Sequence, residues 1–258
     1  MRRKESLELA YYQFDQFSAL KHGVFTRKGG VSAAPWDTLN LGGSVGDDVD
    51  AVRRNHELIY AALDLCAEKV CSVWQIHSAE VIEATGPIQG QRWIAQADGM
   101  VTDCVDTPLI MRFADCTPLL FLDPIRNVIG IAHAGWRGTV AGIGAKTVEK
   151  MTETYGCVPR DIRVGIGPSI SQERYQVGEE VVEAVQTYFG SIVGLVERDE
   201  TDGTAYFDLW AANRLDLERA GVEQIEVMGL CTAERTDEFF SHRAEHGRTG
   251  RFGAVLSL

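Results

Sequence analysis

The sequence predicts an α+β protein, on three observations. Strand-length apolar runs and amphipathic helical stretches alternate only in places, so a doubly wound parallel sheet is not implied. Glycine-rich turns are spread along the whole chain, as in compact mixed folds. And 45% of the 258 residues are hydrophobic, enough for a large core in one domain or two closely merged ones.

Residues 20–26 read as a first strand. Arg27 to Asp48 (RKGGVSAAPWDTLNLGGSVGDD) is a long glycine-punctuated loop, a length that is often functional. Asp47 and Asp48 are placed to cap a helix running to about Leu63, with Val49, Val52, Ile59 and Leu63 on one face. VCSVWQI (70–76), EVIEA (80–84), LIMRF (109–113), PLLFL (118–122) and NVIGIAH (127–133) read as strands. Pro118 is expected to begin its strand rather than sit within a central one. A helix is expected over 139–154, a strand at 162–166 and a helix over 178–189. Asp208 caps a further helix that Gly221 closes. Strands at 224–229 and 252–257 complete the chain, the last expected to close a sheet.

Lys and Arg number 25 against 37 Asp and Glu, a net charge of −12. Such a chain is a poor partner for nucleic acid, although a local arginine cluster can still reverse the field inside a cleft. No stretch of eighteen apolar residues is present, so no membrane span is expected. The opening MRRKESLELAYYQF lacks the apolar core of a signal peptide. The six cysteines show no CxxC spacing, which suggests a reduced, cytoplasmic setting. No obligatory protein partner is evident.

Three reactive side chains sit at strand ends: His77 after VCSVWQI, Cys116 before Pro118, and His133 at the end of NVIGIAH. Strand ends feeding loops are where side chains converge on a cleft. Two imidazoles and a thiolate suit Zn²⁺, with Cu²⁺ as the alternative ion, and three ligands leave one coordination position open. Two other readings use the same residues. Cys116 is a nucleophile and His133 its base, oriented by Asp115 or another carboxylate. Or Cys116 is a small core residue and each histidine a hydrogen-bonded structural group.

In HAGWRGT (133–139), Arg137 beside a helix start is placed to hold an anion, or the segment is only a turn with Thr139 as N-cap. GIGAKT (142–147) lacks the spacing of a phosphate loop. The tail FFSHRAEHGRTGRFGAV carries Arg243, Arg248 and Arg251 with His242 and His246, either as contacts to a cleft or as a solvated loop.

WQIHSAEV (74–81), ADGMVTD (97–103), ADCTPLLFLDP (114–124), AHAGWRGT (132–139), GIGPSIS (165–171), YQVGEEV (175–181), DLWAANRLDLERAGV (208–222), CTAERTDEFFSHR (231–243) and TGR (249–251) occur in this order. Together they resemble the YfiH/YlmD family, once labelled multicopper polyphenol oxidoreductase or laccase-like and later recognised as purine nucleoside phosphorylases. The resemblance runs from about Gly23 to the C-terminus, and the chain reads as one such domain over 1–258.

The resemblance implies layered mixed β-sheets flanked by helices, similar to the catalytic domain of cytotoxic necrotizing factor toxins. It implies a zinc site of His77, Cys116 and His133. It also implies phosphorolysis of adenosine, inosine and S-methyl-5′-thioadenosine, with adenosine deamination as a further activity. Zinc lowers the pKa of bound water to about 7, the basis of zinc deaminases on other folds. Asp115, Asp98 and Glu80 are the carboxylates placed to move protons. Arg137, Arg243 and Arg251 are the expected phosphate and substrate contacts, Asn40 a ribose or base contact, and Trp136 a stacking surface. The sequence departs from the family's habit at Ser78, His56 and Ala244. Copper-dependent oxidation of phenols is an alternative, but six histidines are few for it.

Overall fold

The structure is a computed structural model describing residues 1–88 and 91–258. The chain opens with an antiparallel hairpin, β1 (Arg2–Ser6) and β2 (Leu9–Gln13). No strand is expected here from the sequence, because the turn is made by Leu7 and Glu8 at φ 52° and 68°, residues that seldom take left-handed backbone. β3 (Lys21–Phe25) pairs with β2. The last strand, β14 (Phe252–Ser257), lies between β3 and β6 (Leu109–Phe113). It is therefore internal to a five-stranded antiparallel sheet instead of closing its edge.

A six-stranded mixed sheet runs β13 (Gln224–Val227), β9 (Arg163–Ile166), β7 (Thr117–Asp123), β8 (Val128–Ala134), β5 (Gly99–Thr102), β4 (Val81–Glu83). The β7–β8 hairpin is buried on both faces along its whole length, which is why both strands read as unbroken apolar runs. Leu120, Leu122, Ile129 and Ile131 face the five-stranded sheet, meeting Met111, Phe113, Phe252 and Ala254. Leu119, Phe121, Val128 and Ala132 face the opposite way, against α3 (Ile143–Tyr155) and α5 (Leu209–Arg219). On the far side of the five-stranded sheet, Ile59 and Leu63 of the α1 region (α1, Val49–Ala62) cover Leu9, Tyr11, Phe25 and Val255. The order is thus helix, sheet, sheet, helices. A small sheet, β10 (Gln176–Val177), β12 (Ala205–Phe207) and β11 (Val196–Arg198), packs with α4 (Glu179–Phe189).

Several expectations need correction. Residues 70–76 are extended but form no continuous strand, because Cys71 bridges to Leu109 while Trp74 bridges to Gln96. Pro118 is the second residue of β7, after Thr117, and the strand is central; paired in register with His133, it is accommodated near the end of the ladder. Val49 is 73% exposed and leaves the apolar face of α1 to Val52 and Ile59. The helix expected over 139–154 is two pieces: α2 (Trp136–Thr139) and α3, separated at Gly142 with φ 75°. Gly135, not Thr139, precedes the first turn of α2, and Thr139 is buried against Asn213.

Asp48 caps α1 through Asp50 N and Ala51 N. Two α1 residues organise the long 27–48 loop. Asn55 donates to Ser32 Oγ and to the Thr38 and Asn40 carbonyls, and accepts from Val31 N. His56 bonds the Leu41 carbonyl through Nε2 and the Tyr60 hydroxyl through Nδ1. Burial, with Arg112 and Arg92 nearby, pushes His56 down to about 4.

Gly142→Ala should destabilise the fold by about 1–2 kcal/mol in urea denaturation with an unchanged m-value, because alanine resists left-handed backbone and its Cβ would lie 2.3 Å from the Tyr188 hydroxyl. His56 makes an acid-linked prediction. Its folded pKa lies below the free value of 6.5, so its neutral form stabilises the fold above pH 6.5, and that stabilisation is lost as pH falls towards about 4. The stability advantage of wild type over His56→Gln should therefore shrink by up to about 3 kcal/mol across that window; a pH-independent difference would refute the assignment.

Candidate metal centre

The ligand atoms of His77, Cys116 and His133 lie within 4.8 Å of one another. The two imidazoles meet edge to face, with centroids 4.9 Å apart. His133 comes from β8, Cys116 from the turn into β7, and His77 from a turn with φ 61°, a conformation histidine tolerates better than most residues. Gly135 lets the backbone pass close by: a Cβ there would lie 2.9 Å from Cys116 Sγ and 3.4 Å from His77 Cδ2.

Asp98 ties the His77 turn to His133. It is fully buried, and its carboxylate accepts from Ile76 N, His77 N, Ser78 N and Ser78 Oγ. Its Oδ1 also accepts from His133 Nδ1 at 2.9 Å. The Asp98 carbonyl accepts from His133 N. With Nδ1 donating, Nε2 of His133 is left as the lone-pair ligand, the arrangement that orients metal-binding histidines. Burial pushes the Cys116 thiol up, but the His133 and His77 imidazoles outweigh it and hold it below the usual thiol range. Burial pushes His133 down, and Cys116 and Asp98 more than reverse this. A thiolate beside two imidazoles is a donor set that fits Zn²⁺.

These groups lie at a cavity of about 670 Å³. Its wall holds five arginines, Arg92, Arg112, Arg137, Arg243 and Arg251, and one carboxylate, Asp115. The field inside a protein of net charge −12 is therefore locally positive. Trp136 lines the wall with the Arg137 guanidinium 4.3 Å over its ring, and Arg243 sits 5.2 Å over Tyr175.

Of the residues singled out from sequence, Arg137, Trp136, Asp115, Arg243 and Arg251 line the cavity with the metal-ligand trio. Asp115 accepts from Thr232 Oγ1 and from Arg243 N, and it is Asp98, not Asp115, that orients His133. Asn40 is fully buried and outside the wall. Its Oδ1 accepts from Gly42 N and Arg251 N, and its Nδ2 donates to Asp47, so it holds the wall in place from behind. Glu80 is exposed and lies outside the cavity. Arg92, Arg112, Gln75, Trp93 and Tyr175 line it without having been expected. Arg112 lies inside the apolar strand LIMRF, and that lone cation was the signal available in the sequence.

The family model described as multi-copper polyphenol oxidoreductase laccase matches residues 21–258. A Deinococcus radiodurans protein named purine nucleoside phosphorylase is 40% identical over 241 residues, covering 93% of this chain and 90% of that protein. Purine nucleoside phosphorylase YlmD of Bacillus subtilis is 36% identical over 244 residues, covering 92% and 87%. The crystal structure of YlmD from Geobacillus stearothermophilus aligns with a TM-score of 0.93 at 33% identity, covering 98% of this chain and 97% of that one.

Asp98→Asn keeps the volume and removes the charge that orients His133 and the turn at His77. Zinc affinity, read by competition with a chromophoric chelator, should fall about 10–100-fold while circular dichroism remains native. Undiminished affinity would show that Asp98 does not organise the ligands.

Proposed function

The chain belongs to the YfiH/YlmD family, the one described as multi-copper polyphenol oxidoreductase laccase, and from that premise we propose that it is a zinc-dependent purine nucleoside phosphorylase. Its substrates are adenosine, inosine and S-methyl-5′-thioadenosine. Its products are the free base and ribose 1-phosphate or its methylthio counterpart. It also deaminates adenosine. What carries the reading is the cavity wall: five guanidiniums and one carboxylate around a His–Cys–His cluster, in a chain whose relatives are named for this reaction.

In phosphorolysis a phosphate oxygen bonds to C1′ while the C1′–N9 bond breaks and its electron pair leaves with the purine. Nucleophile and leaving group are both electron-rich, so the arginines draw phosphate in and offset charge as it shifts to the base. Trp136 and Tyr175 offer aromatic faces to the purine. Asp115 is the one carboxylate in a wall rich in donors, suited to accept from the nucleoside, and through Arg243 N it also fixes the tail. Glu80, outside the cavity, is given no part. His77, Cys116 and His133 would hold zinc, which when bound supplies a Lewis acid and an activated water. The free thiols of all six cysteines fit a reduced, cytoplasmic setting.

A second reading rests on one observation, the Cys116–His133–Asp98 arrangement, which matches a thiol nucleophile, its base and an orienting carboxylate. It predicts a metal-free hydrolase fully active in chelator.

Product analysis by chromatography separates these, with metal content measured on the same preparation. Inosine should give hypoxanthine and ribose 1-phosphate only when phosphate is present, with loss on chelation and recovery with zinc. Copper in place of zinc would reassign the ion. Turnover indifferent to phosphate, or His77→Ala retaining both metal and rate, would overturn the reading.

A further inference from the structure

Two of the five arginines also line a second cavity of about 300 Å³ beneath α1. Arg92, Arg112 and Gly43 belong to both walls, so they mark the junction between the two cavities. Beyond that junction the lining of the smaller cavity includes Val52, Val70 and Ile110 with Arg53, His56 and Tyr60.

The charge at this junction lacks compensation. Arg112 donates from Nη1 to Ser72 Oγ and from Nη2 to the Val73 carbonyl, both neutral acceptors. Its charged or titratable neighbours are Arg92, Arg251, Tyr60 and His56, none of them an acid that is ionised at neutral pH; burial and the two arginines pull Arg112 down to about 10. Arg251 spends Nη1 on the carbonyls of Thr249 and Gly250. Arg92 sits over the Trp93 ring, and the Trp93 indole N–H is buried with no partner among the described residues. Glycine at 43 makes room, since a Cβ there would lie 2.4 Å from Arg92 Nη2. Among the described residues, Arg112 feels no carboxylate, Arg251 has only Asp115 and Cys116 as negative partners, and the Trp93 donor has no acceptor, so this part of the wall carries more positive charge and donor capacity than the protein itself satisfies.

We propose that Arg92, Arg112 and Arg251 form a binding site for a phosphoryl dianion at the junction of the two cavities. Three guanidiniums carry more charge than a carboxylate uses, and their planar forks match phosphoryl oxygens. Of the other two arginines, Arg243 is held by Tyr175 and the Gln176 carbonyl, and neither it nor Arg137 is among the charges acting on Arg112. The dianion is either orthophosphate, the nucleophile of the proposed reaction, or the 5′-phosphate of a purine nucleotide. This site deepens the proposed function and rests on it for the identity of the first occupant.

Calorimetric titration of orthophosphate, and separately of adenosine 5′-monophosphate, into the zinc-loaded full chain tests it. Wild type should bind one or both. Arg112→Met and Arg92→Gln should each weaken that binding at least about tenfold, while zinc content and inosine affinity stay within about twofold. Arg92 is exposed, so its variant decides the matter if Arg112→Met does not fold, and Arg112→Lys should restore part of the loss. Binding of orthophosphate names the nucleophile; binding of the monophosphate alone names a nucleotide substrate. Phosphate affinity unchanged in both variants but abolished in Arg137→Ala would overturn the assignment. Phosphate binding that depends on Arg92 without any phosphorolysis would leave this site standing and refute the proposed reaction instead.

Discussion

The carboxylate of Asp98 is the interaction on which the rest of the site depends. It is a fully buried negative charge at the edge of β5, and such a charge persists only where donors surround it. Here the donors are the turn at residues 76–78 and the imidazole of His133. Satisfying one buried carboxylate therefore sets the left-handed turn that presents His77, the ring orientation of His133, and which nitrogen faces outward. Cys116 needs no such help, since β7 carries it beside His133 through the Pro118–His133 register. Three ligands far apart in sequence are brought together by one hydrogen-bonded charge and one strand register.

A related device organises the arginines. Asp115 accepts from Arg243 N and Asn40 from Arg251 N, backbone amides beside the cavity arginines. Glu245, which pairs with Arg27 through one oxygen, uses the other on Ser241 N and Thr249 Oγ1 of the tail. The tail before β14 is thus held at fixed points while, among the described residues, no carboxylate forms an ion pair with the Arg243 or Arg251 guanidinium, whose protein acceptors are neutral carbonyls. An ion pair to each guanidinium would have ordered the tail equally well but neutralised the cavity. An acidic protein keeps a positive cleft by spending its carboxylates on main-chain amides.

How much of this was legible depended on whether the signal was local. The β7–β8 hairpin and its two ligands could be read directly because a thiol and an imidazole interrupt strands that are otherwise wholly apolar. α1 and α5 announced themselves through Asp48 and Asp208 at their starts. β1 and β2 did not, since Leu7 and Glu8 make a turn that no turn residue marks. Residues 70–76 have a strand's composition but divide their backbone hydrogen bonds between two partners, a tertiary fact. The same limit hid Asp98, which stands in the quoted ADGMVTD but becomes the orienting group only when β5 lies beside β8. Asn40, expected as a ribose or base contact, has its amide engaged by Gly42, Asp47 and Arg251, a set of partners that only the folded chain assembles.

The histidine inventory bears on the family's label. His22 accepts from Phe14 N and is buried against aromatic rings; His56 braces the long loop. His246 is exposed in the tail, and His242, though it lines the cavity, is not among the clustered ligand groups. That leaves two imidazoles and one thiolate, all directed at one point, and among the described residues they form the single cluster of metal-ligating groups. A chain of copper centres needs several such clusters spaced for electron transfer, each with its own donors. A single cluster able to hold one ion, beside a wall of guanidiniums, suits polarising a ligand and balancing its charge. Donor count and cavity electrostatics thus point to the same chemistry, and they do so independently, because the ligands are set by Asp98 and the arginines by main-chain anchors elsewhere.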